Sequence, residues 1–402
     1  MQRIALLSVH TCPLLQPGAG WAGGMNVYVD ELARSLARSG VRVDVFTRRH
    51  SRAVPDTVTV EERFTLHHVE AGPAREMDPR RTHRFLGVFA DRVIDELRHM
   101  PDVSLLHSHY WLSGWAGLRI KGSTGLPLVQ SFHTLGRTKD RNRRSDTPPA
   151  ALLRLATEEE VIGGADRIIA STEAEREDLI AHYDSDPASI CVAPPGVDHD
   201  LFTPGLRDMA RVRMGWPDVP TLLFVGRVQP TKGPDVALET FLQIKDEISS
   251  ARLVVLGSAA GSEGVQEMER LQARVKEADA IDRVTFAEPI PHREMADVYR
   301  ASDLVLVPSR SESFGLVAAE AQASGVPVIA ARADGLAHVV PPGSGGLLVD
   351  GWDPDDWAEA ALGVLRSPEV SSMLAEQGPR HSECYSWDWA VERIVDIYED
   401  VS

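Results

Sequence analysis

One pattern constrains this chain more than any other: an alternation that runs, stops and starts again. In the first half the short apolar runs RIALLSV, VRVDVFT, VSLLHS, LPLVQSF and DRIIAS alternate with amphipathic stretches. Between residues 26 and 39, for example, Val29, Leu32, Ala33 and Leu36 fall on one helical face, and Gly40 supplies the stop. A segment without periodicity, APPGVDHDLFTPG (193–205), interrupts the pattern. It then resumes with TLLFVGR, ARLVVLGS, RVTFAEP, DLVLVPS and VPVIAA. Such alternation is the mark of parallel sheets wound with helices. The expected class is therefore α/β, with two Rossmann-like parallel-sheet domains facing a central cleft and joined near 195–215. At 402 residues the chain also exceeds the roughly 250–300 that one core organises.

Composition narrows the partners. A net charge of −17 argues against a broad nucleic-acid surface or an anionic-membrane stripe, so any anionic ligand must be met by local cations or helix N-termini. Cys12, Cys191 and Cys384 are odd in number and widely spaced, which fits reduced thiols better than a disulfide framework. MQRIALLSVH reads as a first strand rather than a signal peptide, and no run approaches the roughly 18 apolar residues of a membrane span. The expectation is a cytoplasmic protein with neither nucleic-acid nor membrane partner.

Three stretches carry chemistry. GAGWAGGMN (18–26) matches G-x-G-x-x-G at Gly18, Gly20 and Gly23. It starts too late after the first strand for a dinucleotide fingerprint, and Asp44 falls inside the second strand rather than at its tip. What survives is Gly23 and Gly24 at a helix N-terminus, where backbone N–H groups can approach an anion. In FVGRVQPTKG (224–233), Arg227 and Lys232 flank a strand–helix loop and can grip a diphosphate from two directions, although no P-loop pattern is present.

The third stretch is SESFGLVAAE (311–320). Its glycine and small residues open a helix N-terminus towards phosphates. The eight-residue step from Glu312 to Glu320 spans roughly 12 Å at helical rise, about the reach from a donor sugar ring to a ribose. Carboxylates are acceptor-only groups and suit sugar hydroxyls. In the first half, HSHYW and SFHT each end a strand on the cleft side, which favours a functional His133 and a core His109. No Asp-x-Asp pattern stands in a suitable place, so the sequence requires no metal cofactor; Mg2+ is compatible with it.

Taken together, the motifs resemble the retaining family 4 glycosyltransferases of the GT-B fold, and among these the D-inositol-3-phosphate glycosyltransferases of mycothiol synthesis. The resemblance runs through SVHTCPLLQPG, GGMNVYV, HSHYWLSG, FHTL, SDTP, AHYDSDP, FVGRVQPTKGP, ESFGLVAAEAQASG and GLLVDG. It implies transfer of N-acetylglucosamine from a UDP-sugar donor to a small phosphorylated polyol, by a cytoplasmic homodimer. It also implies an acceptor-binding domain (1–198), a nucleotide-sugar-binding domain (199–385) and a final helix (386–402) crossing back to the first domain.

Residue by residue, the resemblance implies catalytic roles for His133, Arg227, Lys232 and Glu312. Donor contacts would come from Gln16, Pro17, Gly23, Gly24, Arg227, Lys232, Ile290, Glu312, Ser313, Phe314, Gly315, Leu316 and Glu320. Acceptor contacts would come from His10, Asn26, Tyr110, Thr134 and Arg154. One departure stands out. Relatives carry an acceptor-phosphate lysine after the AGP at 71–73, where this chain reads AREMDPRR. Arg75, Arg80 and Arg81 are the nearby cations, but a guanidinium is not an equivalent phosphate ligand. The alternatives are the same fold and chemistry with another donor or acceptor, as in a sucrose-phosphate-synthase-like enzyme or a glucosyl- or mannosyltransferase. Further off stand a nucleotide-sugar epimerase, a phosphorylase and a non-catalytic nucleotide-sugar sensor.

Overall fold

A computed structural model describes residues 2–401. The first sheet contains β1 (Arg3–Leu7), β2 (Arg42–Arg48), β3 (Thr57–Glu61), β4 (Phe64–Val69), β5 (Leu106–His109), β6 (Leu128–Ser131), β7 (Arg167–Ala170) and β8 (Ile190–Val192). The second contains β9 (Thr221–Val225), β10 (Arg252–Leu256), β11 (Val284–Ala287), β12 (Leu304–Val307), β13 (Val328–Ala331) and β14 (Gly346–Val349). Strand order is β3-β4-β2-β1-β5-β6-β7-β8 in one and β11-β10-β9-β12-β13-β14 in the other. Every pairing is parallel except β3 with β4. Two parallel α/β domains are what the alternation predicted.

Both sheets reverse direction of strand addition at one place: between β1 and β5 in the first, and between β9 and β12 in the second. Ligands of open α/β sheets bind outside the carboxyl ends of the strands at such switch points. The glycine-rich loop follows β1 and Tyr110 follows β5. Likewise Arg227 follows β9 and SESFGL follows β12. The topology therefore brings the motifs of both halves to facing positions.

The central strands are buried on both sides, with Ile4 to Leu7 and Leu304 to Leu306 all at 1% exposure or less, which is why they read as unbroken apolar runs. The expected helix runs Gly24–Arg38, and its buried face, Val29, Leu32, Ala33 and Leu36, is the one the periodicity marked. The second domain packs around Phe224, Phe241, Tyr299 and Trp357. The helix Trp387–Glu399 returns to the first domain, burying Trp387, Ala390, Val391, Ile394, Ile397 and Tyr398 in its core. At the crossing, Val197 bridges Ser386 and Val197 N donates to Tyr385 O at 2.9 Å. Only glycine fits at 196, because a Cβ there would lie 2.2 Å from Trp387 N. No helix among the described residues is long and apolar enough to cross a membrane.

Candidate active site

The cleft is closed, and the glycine-rich loop closes it. Gly18 O accepts from Ser258 N at 3.1 Å and Ser258 Oγ at 2.7 Å. Gln16 Nε2 donates to Ile290 O and, at 3.3 Å, to Pro17 O, so three of the expected donor residues meet one another across the cleft. A Cβ on Gly23 would lie 3.3 Å from Arg227 Nε, and one on Gly24 would lie 3.7 Å from Leu316. The two glycines thus allow one domain's helix start to approach the other domain's cation. Gly23 N is not free, however: it donates to Asn26 Oδ1 at 2.9 Å.

That bond corrects the expectation for Asn26. Its side chain is 1% exposed, and Nδ2 donates to Thr11 Oγ1 at 3.0 Å and Cys12 O at 2.7 Å. Both amide hydrogens are spent tying the β1 loop to the helix start, so the Asn26 side chain braces the loop rather than standing free for a ligand. Phe314 is corrected likewise. It is 4% exposed and packs edge-on against Tyr385, at 5.1 Å between ring centres. Only its backbone is available to a ligand.

Arg227 and Lys232 converge with Glu312 at the mouth of β9. Lys232 Nζ donates to Glu312 Oε2 at 2.5 Å, and Ser309 Oγ reaches the same oxygen at 3.3 Å. Arg227 is half-buried with a single long bond, to Trp21 O at 3.5 Å. Burial depresses its pKa, with Tyr110 and Glu312 opposing the shift. A cation held half-desolvated and underbonded is poised for an anion. Glu312 lies outside the helix, which runs Leu316–Ala323 with Gly315 as its cap. Helical rise therefore applies to only part of the step to Glu320, and the spacing of the two carboxylates does not follow from it. Glu320 is 5% exposed; it accepts from His292 Nε2 and Tyr299 OH, both at 2.8 Å. Burial lowers the His292 pKa, but Glu320 overcomes this and leaves it raised. Each oxygen keeps a lone pair for a ligand hydroxyl.

Across the cleft, Ser313 Oγ donates to His133 O, joining the two domains directly. His133 and Tyr110 both have left-handed backbones, with φ of 60° and 78°. The strain sits at the ends of β6 and β5, and the His133 ring there packs against Tyr28 at 4.9 Å between ring centres. His133 Nε2 lies 3.0 Å from His109 Nδ1, and His109 is 0% exposed, a core residue as expected. Burial drives the His133 pKa down to about 3, so the ring is neutral. His10 stacks on Tyr110 at 4.5 Å and is also pushed to about 3, first by burial and then by Arg227, His133 and Arg154.

Arg154 lies over the Tyr110 ring at 5.3 Å and donates to Glu158 at 2.7 Å and to Thr134 O and Oγ1 at 2.7 and 3.0 Å. Thr134, Tyr110, His10 and Arg154 thus form one contiguous wall. The arginines after residue 73 do not join it. Arg75 and Arg81 are exposed, and Arg80 is committed to Asp78 at 2.8 Å and Glu263 at 3.3 Å.

Sequence reasoning missed Lys139. It sits on the short helix Gly136–Arg141 after β6, half-buried and without a carboxylate partner among the described residues. Its pKa falls to about 8, chiefly through burial, with Arg154 and Arg227 adding repulsion. Glu263 and Asp140 oppose that shift. In the sequence, only its place five residues beyond Thr134 hinted at a role.

Comparisons agree with this geometry. The profile "Glycosyltransferase Family 4" matches residues 22–201, and "Glycosyl transferases group 1" matches residues 210–381. The D-inositol 3-phosphate glycosyltransferase 2 of Catenulispora acidiphila is 42% identical over 404 residues, 99% of this chain and 94% of its own. The D-inositol 3-phosphate glycosyltransferase of Rhodococcus opacus is 42% identical over 402 residues, 99% and 90% of the two chains. Sucrose-phosphate synthase from Thermosynechococcus elongatus superposes with a TM-score of 0.91 at 30% identity, over 100% of this chain and 99% of that one. Facing parallel sheets and near-full-length relatives lead to one conclusion: this chain is a glycosyltransferase and belongs to family 4 of the GT-B fold.

Proposed function

We propose that the protein transfers N-acetylglucosamine from UDP-GlcNAc to 1D-myo-inositol 3-phosphate with retention of anomeric configuration, the first step of mycothiol biosynthesis, in the cytoplasm. The observation that carries this is the pairing of two cationic centres across one cleft. Arg227, with Lys232 and Glu312, stands where a sugar diphosphate would lie. Arg154 and Lys139 stand behind Tyr110 and Thr134, where a phosphorylated polyol would lie. Relatives at about 42% identity carry the name D-inositol 3-phosphate glycosyltransferase, which supports that acceptor.

In this reading Arg227, Lys232 and the N-terminus of the helix Leu316–Ala323 stabilise the departing UDP. Preorganised charge of that kind is often the largest single catalytic contribution. Glu312 holds donor-sugar hydroxyls and Glu320 the ribose. His133 is neutral and contributes its position beside the donor sugar. Attack comes from the face that UDP leaves, and the diphosphate takes the acceptor proton. Closure of the glycine-rich loop excludes water and limits donor hydrolysis.

The missing lysine after residue 73 favours a second reading, in which the acceptor is another sugar phosphate. Similarity at 30% identity to sucrose-phosphate synthase makes fructose 6-phosphate the specific alternative. The test is UDP release from UDP-GlcNAc and UDP-glucose with inositol 3-phosphate, inositol, fructose 6-phosphate and buffer side by side. Stimulation by inositol 3-phosphate alone establishes the first reading. Stimulation by fructose 6-phosphate alone replaces it with the second.

A further inference from the structure

A cluster beside the acceptor wall takes no part in sugar transfer. Cys12 follows β1, His50 follows β2 and His68 lies in β4, and these three strands are neighbours in the order β4-β2-β1. One ligand atom from each lies within 4.8 Å of the other two. Cys12 Sγ is 3.8 Å from His68 Nε2, and the His50 and His68 rings meet at 5.5 Å between centres. In a tetrahedral zinc site, Zn–S of about 2.3 Å and Zn–N of about 2.05 Å place sulfur and nitrogen about 3.6 Å apart. The Cys12–His68 pair is already near that spacing. His50 closes the remainder by a side-chain shift of about 1 Å.

The surroundings suit a ligand set. His68 Nδ1–H donates to Pro55 O at 2.8 Å, which fixes the tautomer and leaves the Nε2 lone pair for a metal. His50 Nδ1 is buried with no hydrogen-bond partner, a cost that ligation at this ring would help to offset. Burial, followed in size by its flanking arginines, lowers the His50 pKa; burial likewise lowers that of His68. Burial also pushes the Cys12 thiol up, to about 11, so the ion must displace its proton. Cys12 is a free, buried thiol. The cavity on its open side is lined by His10, Trp21 and Glu76, so a fourth ligand, water or the Glu76 carboxylate, has room.

Charge decides the class of ion. Arg48 and Arg49 flank the cluster, bonded to the carbonyls of Pro73 and Arg75 and to Asp56. They oppose any dication. Binding at Cys12 releases the thiol proton to solvent, so a divalent ion adds only one net positive charge. Mg2+ and Ca2+ prefer oxygen and gain nothing from the sulfur. We propose that Cys12, His50 and His68 form a site for a thiolate-preferring divalent transition metal, Zn2+ foremost, which clips the loop carrying His10 to the ends of β2 and β4.

The test titrates the full-length protein with Co2+ and follows the thiolate-to-cobalt charge-transfer band, with Zn2+ as competitor. One equivalent of Co2+ should produce the band and Zn2+ should erase it. Cys12→Ser should abolish it, and His68→Gln or His50→Gln should weaken Co2+ binding at least about tenfold. Cys384→Ser, which changes an exposed thiol, should leave it intact. If Cys12→Ser does not fold, the two histidine variants decide between presence and absence of the site. Absence of the band in the unmodified protein, or Co2+ affinity unchanged by both the His50 and His68 changes, overturns the proposal.

Discussion

After β9 and β12 the chain turns through glycine, with φ of 70° at Gly233 and 111° at Gly315. At the ends of β5 and β6 in the first domain it turns through Tyr110 and His133, with φ of 78° and 60°. A left-handed backbone costs a non-glycine residue roughly 1–2 kcal/mol, so the ends of β5 and β6 bear a strain that the turns after β9 and β12 avoid; the second domain carries its own at Asp334, after β13, with φ of 44°. The difference follows from what each side offers. The donor side presents backbone, a helix start and three charged groups set back from the turns. The other side places a ring at the Tyr110 turn, which packs against His10 and carries Arg154, while at His133 it is the backbone carbonyl that meets Ser313.

The sharpest test of this division is Arg227→Ala. It should cut transfer about 10²–10³-fold, as loss of a preorganised charge contact does, with little change in melting temperature. Parallel losses of rate and melting temperature would make Arg227 a structural residue. Next, Gly233→Ala should cost at least about 2 kcal/mol of stability in denaturant titration, because its Cβ would lie 2.2 Å from Pro308 O. His133→Gly should do the reverse. Relief of φ strain offsets lost ring contacts, so stability should move by less than about 1 kcal/mol while turnover falls more than about tenfold. A His133→Gly variant with normal turnover would break the comparison.

Lys139→Ala should raise the acceptor KM about tenfold, the worth of one charged hydrogen bond, and leave donor hydrolysis unchanged. A phosphate prefers the ammonium form, and the free enzyme's Lys139 titrates at about 8. Acceptor KM should therefore rise as pH climbs through that value, and Lys139→Arg should flatten the rise. A pH-independent KM in the unmodified enzyme would remove Lys139 from the acceptor wall.

The smallest effect belongs to His292. Its pKa is raised in the folded state, so its bond to Glu320 stabilises fully below the unfolded value near 6.5 and less as pH rises through the folded one. Because the side chain is 22% exposed, the contribution should be under about 1 kcal/mol. Melting curves of His292→Gln between pH 6 and 8 should show a flatter slope than those of the parent.

Legibility in the sequence followed burial. The strands evident from sequence, β1, β2, β5 to β7 and β9 to β13, are covered on both faces or nearly so, except β11, an edge strand with one buried residue. Those missed were β3, β4, β8 and β14, and three of these are sheet edges. TVTVE has no fully buried residue, and ICV is only three residues long. Arg227, Lys232 and Glu312 were legible because a strand, a loop and a helix start announce a ligand mouth. Asn26 and Phe314 came from resemblance, which reports that a position matters but not whether its side chain or its scaffolding does. Lys139 was silent because a lysine on a short helix reads as a solvated surface charge until the fold shows it half-buried.

The returning helix has a consequence for synthesis. Trp387, Ile394 and Tyr398 complete a core that begins at Ile4, and Tyr398 OH reaches His107 Nδ1 at 2.6 Å. The ribosome releases these residues only after the whole second domain. The first domain therefore waits, one flank of its opening helix uncovered, while its younger neighbour can already fold. A stop codon or bulky fusion placed before Trp387 would injure the domain made first, not the one made last.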